Sequence, residues 1–273
     1  MIARTPITRI PLLVAPEREN RPKVYEGGTC PFCPGSEDQT PPEILRQGDP
    51  WRIRLFPNKY PASTHHEVLV ESEDHAGAFD ELSPDHAASV MAISFERYRT
   101  LRSVSPFVTL FKNHGALAGA SIPHPHSQIL GTLFAPARMA AETQAFADAH
   151  SCPLCDLSEH PQIAESSDYR WIAPLGSTMP WQQWIIPRRH TNEMSHAGDL
   201  ASLLQRVVQA TQRIATAFNW AFLNFPGEPR AHWYLEVFPR LSTIAGFELG
   251  SGTFINTVDP VDAARVLRDS PQP

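Results

Sequence analysis

Charge is scarce in this chain. Only 19% of its 273 residues are Asp, Glu, Lys or Arg, and the balance is acidic, with a formal net charge of -6. A basic face cannot be assembled from such a surplus, which argues against a nucleic-acid partner. Long apolar runs are missing too, so no membrane span is expected. The N-terminus, Met1-Ile2-Ala3-Arg4-Thr5-Pro6, leads into a proline-interrupted segment without a secretory leader's apolar core, and the expected location is cytoplasmic. Cysteine is rare: all four residues fall in two Cys-x-x-Cys pairs, Cys30/Cys33 and Cys152/Cys155. In a reducing compartment that usage points to metal before disulfide. The signature of disorder is also lacking, because 42% of the residues are hydrophobic; the 27 prolines predict a loop-rich globular protein.

What is present repeats. Cys30-Pro31-Phe32-Cys33 is followed by the apolar segment His66-Glu67-Val68-Leu69-Val70 and then His75. Cys152-Pro153-Leu154-Cys155 is followed by Trp184-Ile185-Ile186-Pro187 and then His190. Ser83-Pro84 reads as an N-cap with proline in the first turn, opening a helix to about Arg102. Its counterpart is expected from about Asp199 to Phe218, where Leu200, Leu203, Leu204, Val207, Val208, Ile214 and Phe218 recur at helical spacing. After each helix come a strand (107–111 and 220–224), a loop and a strand led by histidine (124–128 and 232–237). A closing helix, capped by Asp259 with Pro260 at its first position, ends near Arg268. The predicted fold class is α+β: two tandem half-domains, residues 1–140 and 141–273, each an antiparallel sheet with a packed helix, with 141–151 as the connection.

His124-Pro125-His126-Ser127-Gln128 carries the most chemistry. In an extended strand alternate residues share a face, so His124, His126 and Gln128 line up together. Pro123 and Pro125 cannot donate to a ladder, which predicts an edge or bulged strand. The cluster reads either as a buried structural knot or as a phosphoryl-group site: a nitrogen nucleophile, a metal-held neighbour and an amide donor. Superposing the repeats sets His232 on His124, Tyr234 on His126 and Glu236 on Gln128. Each Cys-x-x-Cys plus two histidines makes a tetrahedral zinc set. The sets are Cys30, Cys33, His75 and His124, and Cys152, Cys155, His190 and His232; four protein ligands make both sites structural. The competing readings are a redox pair or buried thiols. Tyr234 is a far poorer nucleophile than His126 at neutral pH, so only the first half is expected to be competent, with Gln128 donating to a phosphoryl oxygen. The small-residue loop Asn113 to Ser121 offers either backbone N–H groups and the Ser121 hydroxyl to a phosphate, or only a tight connection. His65, His66, His86, His114 and His196 lack such context and read as surface or packing residues.

These residues together resemble the galactose-1-phosphate uridylyltransferase branch of the histidine-triad superfamily. The resemblance covers most of the chain and rests on Pro16-Glu17-Arg18-Glu19-Asn20-Arg21-Pro22, Cys30-Pro31-Phe32-Cys33-Pro34-Gly35, Phe56-Pro57-Asn58-Lys59-Tyr60-Pro61, the Asn113 to Gln128 segment and Gly246-Phe247-Glu248. It implies two histidine-triad-like halves, the first catalytic and the second degenerate. It also implies a nucleotidyltransferase of carbohydrate (galactose) metabolism, in which His126 forms a covalent nucleotidyl-histidine. The nucleoside monophosphate, UMP in the leading reading, then passes from a nucleotide sugar to a hexose 1-phosphate. By the same resemblance Arg18 and Arg21 match phosphate-holding arginines; Asn58, Asn113, Ser121 and Gln128 match nucleotide-site positions; Phe247 and Glu248 match the hexose-reading segment. That segment can reach a neighbouring subunit's site in the family, so a homodimer is implied.

The chain departs from the long bacterial uridylyltransferases in its length and in the second Cys-x-x-Cys. In this it is similar to compact relatives that include a plant phosphorylase acting on ADP-glucose, which passes the nucleotide to inorganic phosphate. Two alternatives therefore stand beside the transferase: a nucleotide-sugar phosphorylase, and a double zinc-knuckle binding module without catalysis.

Overall fold

In a computed structural model, residues 1–20 and 29–269 are described. Two short strands, β1 (Ile2–Arg4) and β2 (Pro11–Leu13), pair with each other. The rest of the fold is built on one ten-stranded antiparallel sheet. Its first-half members are β3 (Leu45–Gly48), β4 (Trp51–Pro57), β5 (His65–Val70), β6 (Phe107–His114) and β7 (His126–Thr132). Its second-half members are β8 (Gln162–Glu165), β9 (Tyr169–Ile172), β10 (Gln183–Pro187), β11 (Phe218–Leu223) and β12 (Tyr234–Pro239). The spatial order β3-β4-β5-β7-β6-β11-β12-β10-β9-β8 makes the second half a mirror-ordered copy of the first. The two meet at an antiparallel seam of β6 and β11, where Asn113 faces Asn219 and Lys112 faces Trp220.

Both terminal strands are four residues long, and each carries a register shift, at Gln47/Gly48 in β3 and at Gln162/Ala164 in β8. Gly48 sits at φ 89°, in the left-handed region, and a Cβ there would stand 2.9 Å from the Pro50 carbonyl oxygen, so glycine is required.

Helix α1 (Pro84–Arg102) starts where the sequence predicts, with the Ser83 side chain accepting the His86 N–H. It buries Ala87, Val90, Met91, Phe95, Tyr98 and Leu101 against the sheet at helical spacing. The second-half helix, α3 (Ala197–Gln212), is shorter than expected: the chain turns at Arg213 and Ile214, and Phe218 begins β11 instead of ending the helix. The two helices lie side by side on one face of the sheet, over Leu69, Ile129, Ile185 and Leu235, and this layer is the main core. Removing one such side chain from water contributes about 1.5–3 kcal/mol.

The opposite face carries two smaller clusters. Cys30, Phe32, Phe56, Val68 and Val70 form one; Leu154, Ile172, Ile186, Phe225 and Tyr234 belong to the other. Alternation along β5 and β10 separates these layers cleanly, Leu69 and Ile185 inward to the helices, Val68 and Ile186 outward.

Two sequence expectations are corrected here. The His-Pro-His strand is neither an edge nor bulged: β7 starts only at His126 and is interior, paired with both β5 and β6, so Pro123 and Pro125 precede the ladder and interrupt nothing. His124 therefore lies outside the strand. Helix α2 (Ala137–Asp148) occupies most of the 141–151 connection. Short helix α4 (Gly246–Ser251) precedes the closing helix α5 (Pro260–Arg268), whose Asp259 cap accepts the Val261 N–H at 2.7 Å as predicted.

Candidate active site and two metal-binding sets

The turn before β7 is held from beneath. The Glu71 N–H donates to the Pro125 carbonyl at 3.0 Å, and the His124 Nε2–H donates to the Ser72 carbonyl at 2.8 Å. Glu71 itself forms a fully buried ion pair with Lys112 of β6, so the loop after β5 is fixed to both neighbours of β7. Thus braced, the His126 Nδ1–H donates to the His124 carbonyl at 2.8 Å. A carbonyl can only accept, so Nδ1 carries a proton and Nε2 is the nitrogen that bears the lone pair in the neutral ring.

A cavity of about 370 Å³ opens beside this ring, a volume that suits a small-molecule ligand. Phe32, Phe56, Val68 and Pro31 make its apolar side, and Phe32 meets the His126 ring edge-on at 5.2 Å between centroids. Thr40 and Pro41 close one wall, held by buried Arg54, which pairs with Glu43, donates to Thr40 Oγ1 at 2.8 Å and lies over the Trp51 and Phe56 rings. Asn58, Asn113, Ser121, His126 and Gln128 line the polar side, so the structure brings these predicted residues together.

Both facing amides have their oxygens occupied. Gln128 Oε1 accepts from His66 Nε2–H at 3.0 Å and from Asn58 Nδ2 at 3.4 Å. Asn113 Oδ1 accepts from Asn219 Nδ2 at 2.8 Å across the seam. The NH2 groups of Gln128 and Asn113 remain as the pocket-side functions of their amides, and together with the Ser121 hydroxyl they give the polar wall a donor character suited to phosphoryl oxygens. His66 and Asn219 were missed in the sequence. His66, expected as a surface or packing residue, is buried, and Asn219 carries no motif; only strand pairing reveals either role. In the Asn113 to Ser121 loop, the N–H groups of Ala118, Gly119 and Ala120 donate to the carbonyls of Gly115 and Ala116.

Other predicted residues fall elsewhere. Arg18 is half-buried outside the cavity and donates to the carbonyl of Tyr60, a cavity residue, at 2.5 Å. Arg21 lies outside the described residues. On α4, away from the cavity lining, Phe247 is exposed and Glu248 half-buried, and Glu248 accepts the Ala245 N–H at the start of its own helix at 3.2 Å.

The metal sets assemble as spaced in the sequence. In each, the four ligand atoms of Cys30, Cys33, His75 and His124, or of Cys152, Cys155, His190 and His232, lie within 4.8 Å of one another. Cys33 Sγ stands 3.3 Å from His75 Nδ1 and 3.6 Å from His124 Nδ1; Cys155 Sγ stands 3.3 Å from His190 Nδ1 and 3.9 Å from His232 Nδ1. Tetrahedral zinc with sulfur and nitrogen donors needs S···N separations of roughly 3.6 Å, so the donor sets fit. The outer nitrogens of His124 and His190 are oriented by the Ser72 and Pro229 carbonyls. Burial pushes the His232 pKa down to about 4 and lowers that of His124, keeping both imidazoles neutral as ligation requires. Burial pushes the Cys30 and Cys155 thiols up to about 11, so zinc binding there displaces protons.

At the positions matching His126 and Gln128, the second half is plugged. The Tyr234 hydroxyl donates to Glu142 Oε2 at 2.8 Å and accepts from Arg138 Nη2 at 3.0 Å, both from α2. Glu236 pairs with Arg138 at 2.5 Å and accepts from Trp184 Nε1 at 2.8 Å and from Gln182. Burial holds the Tyr234 hydroxyl far above the usual phenol range, so it is no nucleophile.

A family model described as the N-terminal domain of DUF4931, a domain of unknown function, matches residues 19–133. The chain is 29% identical to the ADP-glucose phosphorylase of Arabidopsis thaliana over 98% of its own length and 92% of the relative's. It is 23% identical to the galactose-1-phosphate uridylyltransferase of Thermotoga maritima, covering 97% of this chain and 96% of that one. The crystal structure of the Arabidopsis thaliana ADP-glucose phosphorylase with bound ADP-glucose superposes with a TM-score of 0.84 at 28% identity, covering 100% of this chain and 99% of the other. A uridylyltransferase structure at 23% identity shares the fold, with a TM-score of 0.83 and 98% and 97% coverage. In sequence along nearly its whole length, and in fold, the chain is similar to galactose-1-phosphate uridylyltransferase-like proteins of the histidine-triad superfamily.

Proposed function

We propose that the chain is a nucleotidyltransferase acting through a covalent nucleotidyl-histidine at His126, with residues 1–140 as the catalytic half and 141–273 as its degenerate partner. The observation that carries this reading is the pairing of an imidazole held through Nδ1–H with two amides that line the same cavity and whose oxygens are already taken by protein donors. His126 Nε2 attacks the α-phosphorus of a nucleotide sugar, an N–P bond forms, and the sugar 1-phosphate leaves with the electrons of the broken P–O bond. Positive charge developing on the ring is met through Nδ1–H by the His124 carbonyl. Charge on the non-bridging oxygens is met by Gln128, Asn113 and Ser121. An acceptor oxygen then attacks the phosphorus from the vacated side and returns the histidine to its neutral form.

In the leading version the donor is UDP-glucose and the acceptor a hexose 1-phosphate. Arg18 and Arg21 hold phosphates, Asn58 borders the nucleotide, and Phe247 and Glu248 of one subunit read the hexose in its neighbour within a cytoplasmic homodimer. The second version, a phosphorylase using ADP-glucose and inorganic phosphate, is favoured by the 29% identity with the plant enzyme. Zinc in both sets is structural and takes no part in a step.

The test is retention of an acid-labile label from UDP-glucose or ADP-glucose, each labelled at the α-phosphorus, by wild type and not by His126→Ala. Chasing the labelled protein with hexose 1-phosphate or inorganic phosphate then identifies the acceptor. Label held equally by wild type and His126→Ala would overturn the mechanism.

A further inference from the structure

Contacts of His66 converge on the candidate site, among them Asn58 Nδ2, which stands 3.3 Å from the His66 Nε2. The His66 carbonyl accepts the Asn58 N–H at 2.7 Å, its Nδ1 accepts the Ala62 N–H at 3.1 Å, and its Nε2–H donates to Gln128 Oε1 at 3.0 Å. The carbonyl and Nδ1 contacts fix both ends of the Asn58–Ala62 turn, which supplies Asn58, Lys59 and Tyr60 to the cavity wall. The Nδ1 contact also fixes the tautomer: an imidazole accepting at Nδ1 carries its proton on Nε2, where it can only be a donor. That donor faces one of the two ends of the Gln128 amide, and only the oxygen end can receive it.

An amide can rotate by half a turn at almost no steric cost, so packing alone does not decide which end of Gln128 faces a ligand. Reversed, it would present an oxygen to phosphoryl oxygens, and attraction would become repulsion. The second half repeats the device on a different pair: the register that sets Val68 opposite Gln128 sets Trp184 opposite Glu236, and two residues before each stand His66 and Gln182. There Gln182 Nε2 donates to Glu236.

We propose that His66 is a positioning residue which, through its Nε2–H, holds the Gln128 amide with its NH2 toward the transferring phosphoryl group. This deepens the reading of His126 as nucleophile and rests on it.

The test measures the single-turnover rate of label transfer to the protein and, separately, nucleotide-sugar affinity. Gln128→Ala removes an oxyanion donor and should slow transfer by about 10²–10³-fold. His66→Ala should slow it by roughly 10–100-fold while affinity weakens by no more than about 3-fold, because a donor aimed at the developing charge acts on the rate. The double variant should be no slower than Gln128→Ala within about 3-fold, since both substitutions remove one interaction. His66→Gln, which sets a side-chain N–H near the Nε2 position as Gln182 does, should recover most of the rate. Equal loss from His66→Ala with and without Gln128, or no recovery in His66→Gln, would overturn the proposal and leave His66 a packing residue.

A readout independent of turnover separates this from failure of the functional reading. In protein with ¹⁵N-labelled histidine, His66 should show a protonated Nε2 and an unprotonated Nδ1. The reverse tautomer would overturn the positioning role even if label transfer is normal. The expected tautomer in a protein that takes no label would uphold the arrangement and discard the reaction.

Discussion

The halves of this molecule hold the same strand in two conditions. In the first, β7 offers His126 and Gln128 to an open cavity of about 370 Å³; in the second, β12 offers Tyr234 and Glu236 to Arg138 and Glu142 of α2, and the Trp184 ring lies 4.6 Å from that of Tyr234, tilted by 38°. The flanking zinc sets are alike in donors and differ in exposure: Cys30 and His124 are buried in the first, whereas Cys155 and His190 are exposed in the second. Duplication thus kept the frame that braces a histidine turn in both halves, while the space for a ligand survives in one. The lesson is that competence here depends on what the connection between halves does as much as on the residue at the nucleophile position.

The comparison breaks most visibly at the metal. Cys30→Ser and Cys152→Ser should each lower bound zinc by about one equivalent, measured by metal analysis of the purified chain. The first should also cut label transfer by on the order of 100-fold or more, because His124 both ligates the metal and supplies the carbonyl that orients His126. The second should leave the rate per folded molecule within about 3-fold. Equal loss of rate in the two variants would show that the second site serves catalysis directly.

A smaller effect sharpens the plug. Arg138→Ala leaves Glu236 buried without its cation and should cost about 2 kcal/mol in denaturant unfolding. That is less than a fully buried pair would cost, because Arg138 is itself half exposed to solvent screening. Label transfer at His126 should be unchanged, and a rate loss parallel to the stability loss would couple the halves.

The smallest expected effect is none. Tyr234→His in a His126→Ala background restores the residue type without the space, since Arg138 and Glu142 still fill it, and no label should appear. Recovered label would show that the nucleophile alone distinguished the halves.

Much of this was legible in the sequence. Paired Cys-x-x-Cys motifs with matched histidines identify both zinc sets, because ligands spaced along a repeat need no knowledge of packing. The Ser83-Pro84 start of α1 and the Asp259-Pro260 start of α5 follow from local capping chemistry. What stayed hidden depends on pairing. Interior placement of β7 is invisible because prolines at 123 and 125 mimic an edge strand, and only the ladder shows that it begins one residue later. His66 gains its meaning from lying diagonally across from Gln128, and Asn219 from a seam between strands more than 100 residues apart. The plug is equally non-local, since Arg138 and Glu142 lie at ordinary helical spacing and say nothing of Glu236 or Tyr234.

The seam at β6 and β11 has a further consequence, for solubility. Two five-stranded sheets left separate would expose four edges, two of them long central strands with unpaired N–H and C=O groups. Joining β6 to β11 leaves only β3 and β8, each four residues long and interrupted by its bulge. Exposed Arg46 and Gln47 lie along β3, while α5 packs on β8 and its Arg268 caps the Gln162 carbonyl. A ten-stranded sheet is a natural template for self-association, and in this chain the arrangement of its ends keeps that template closed.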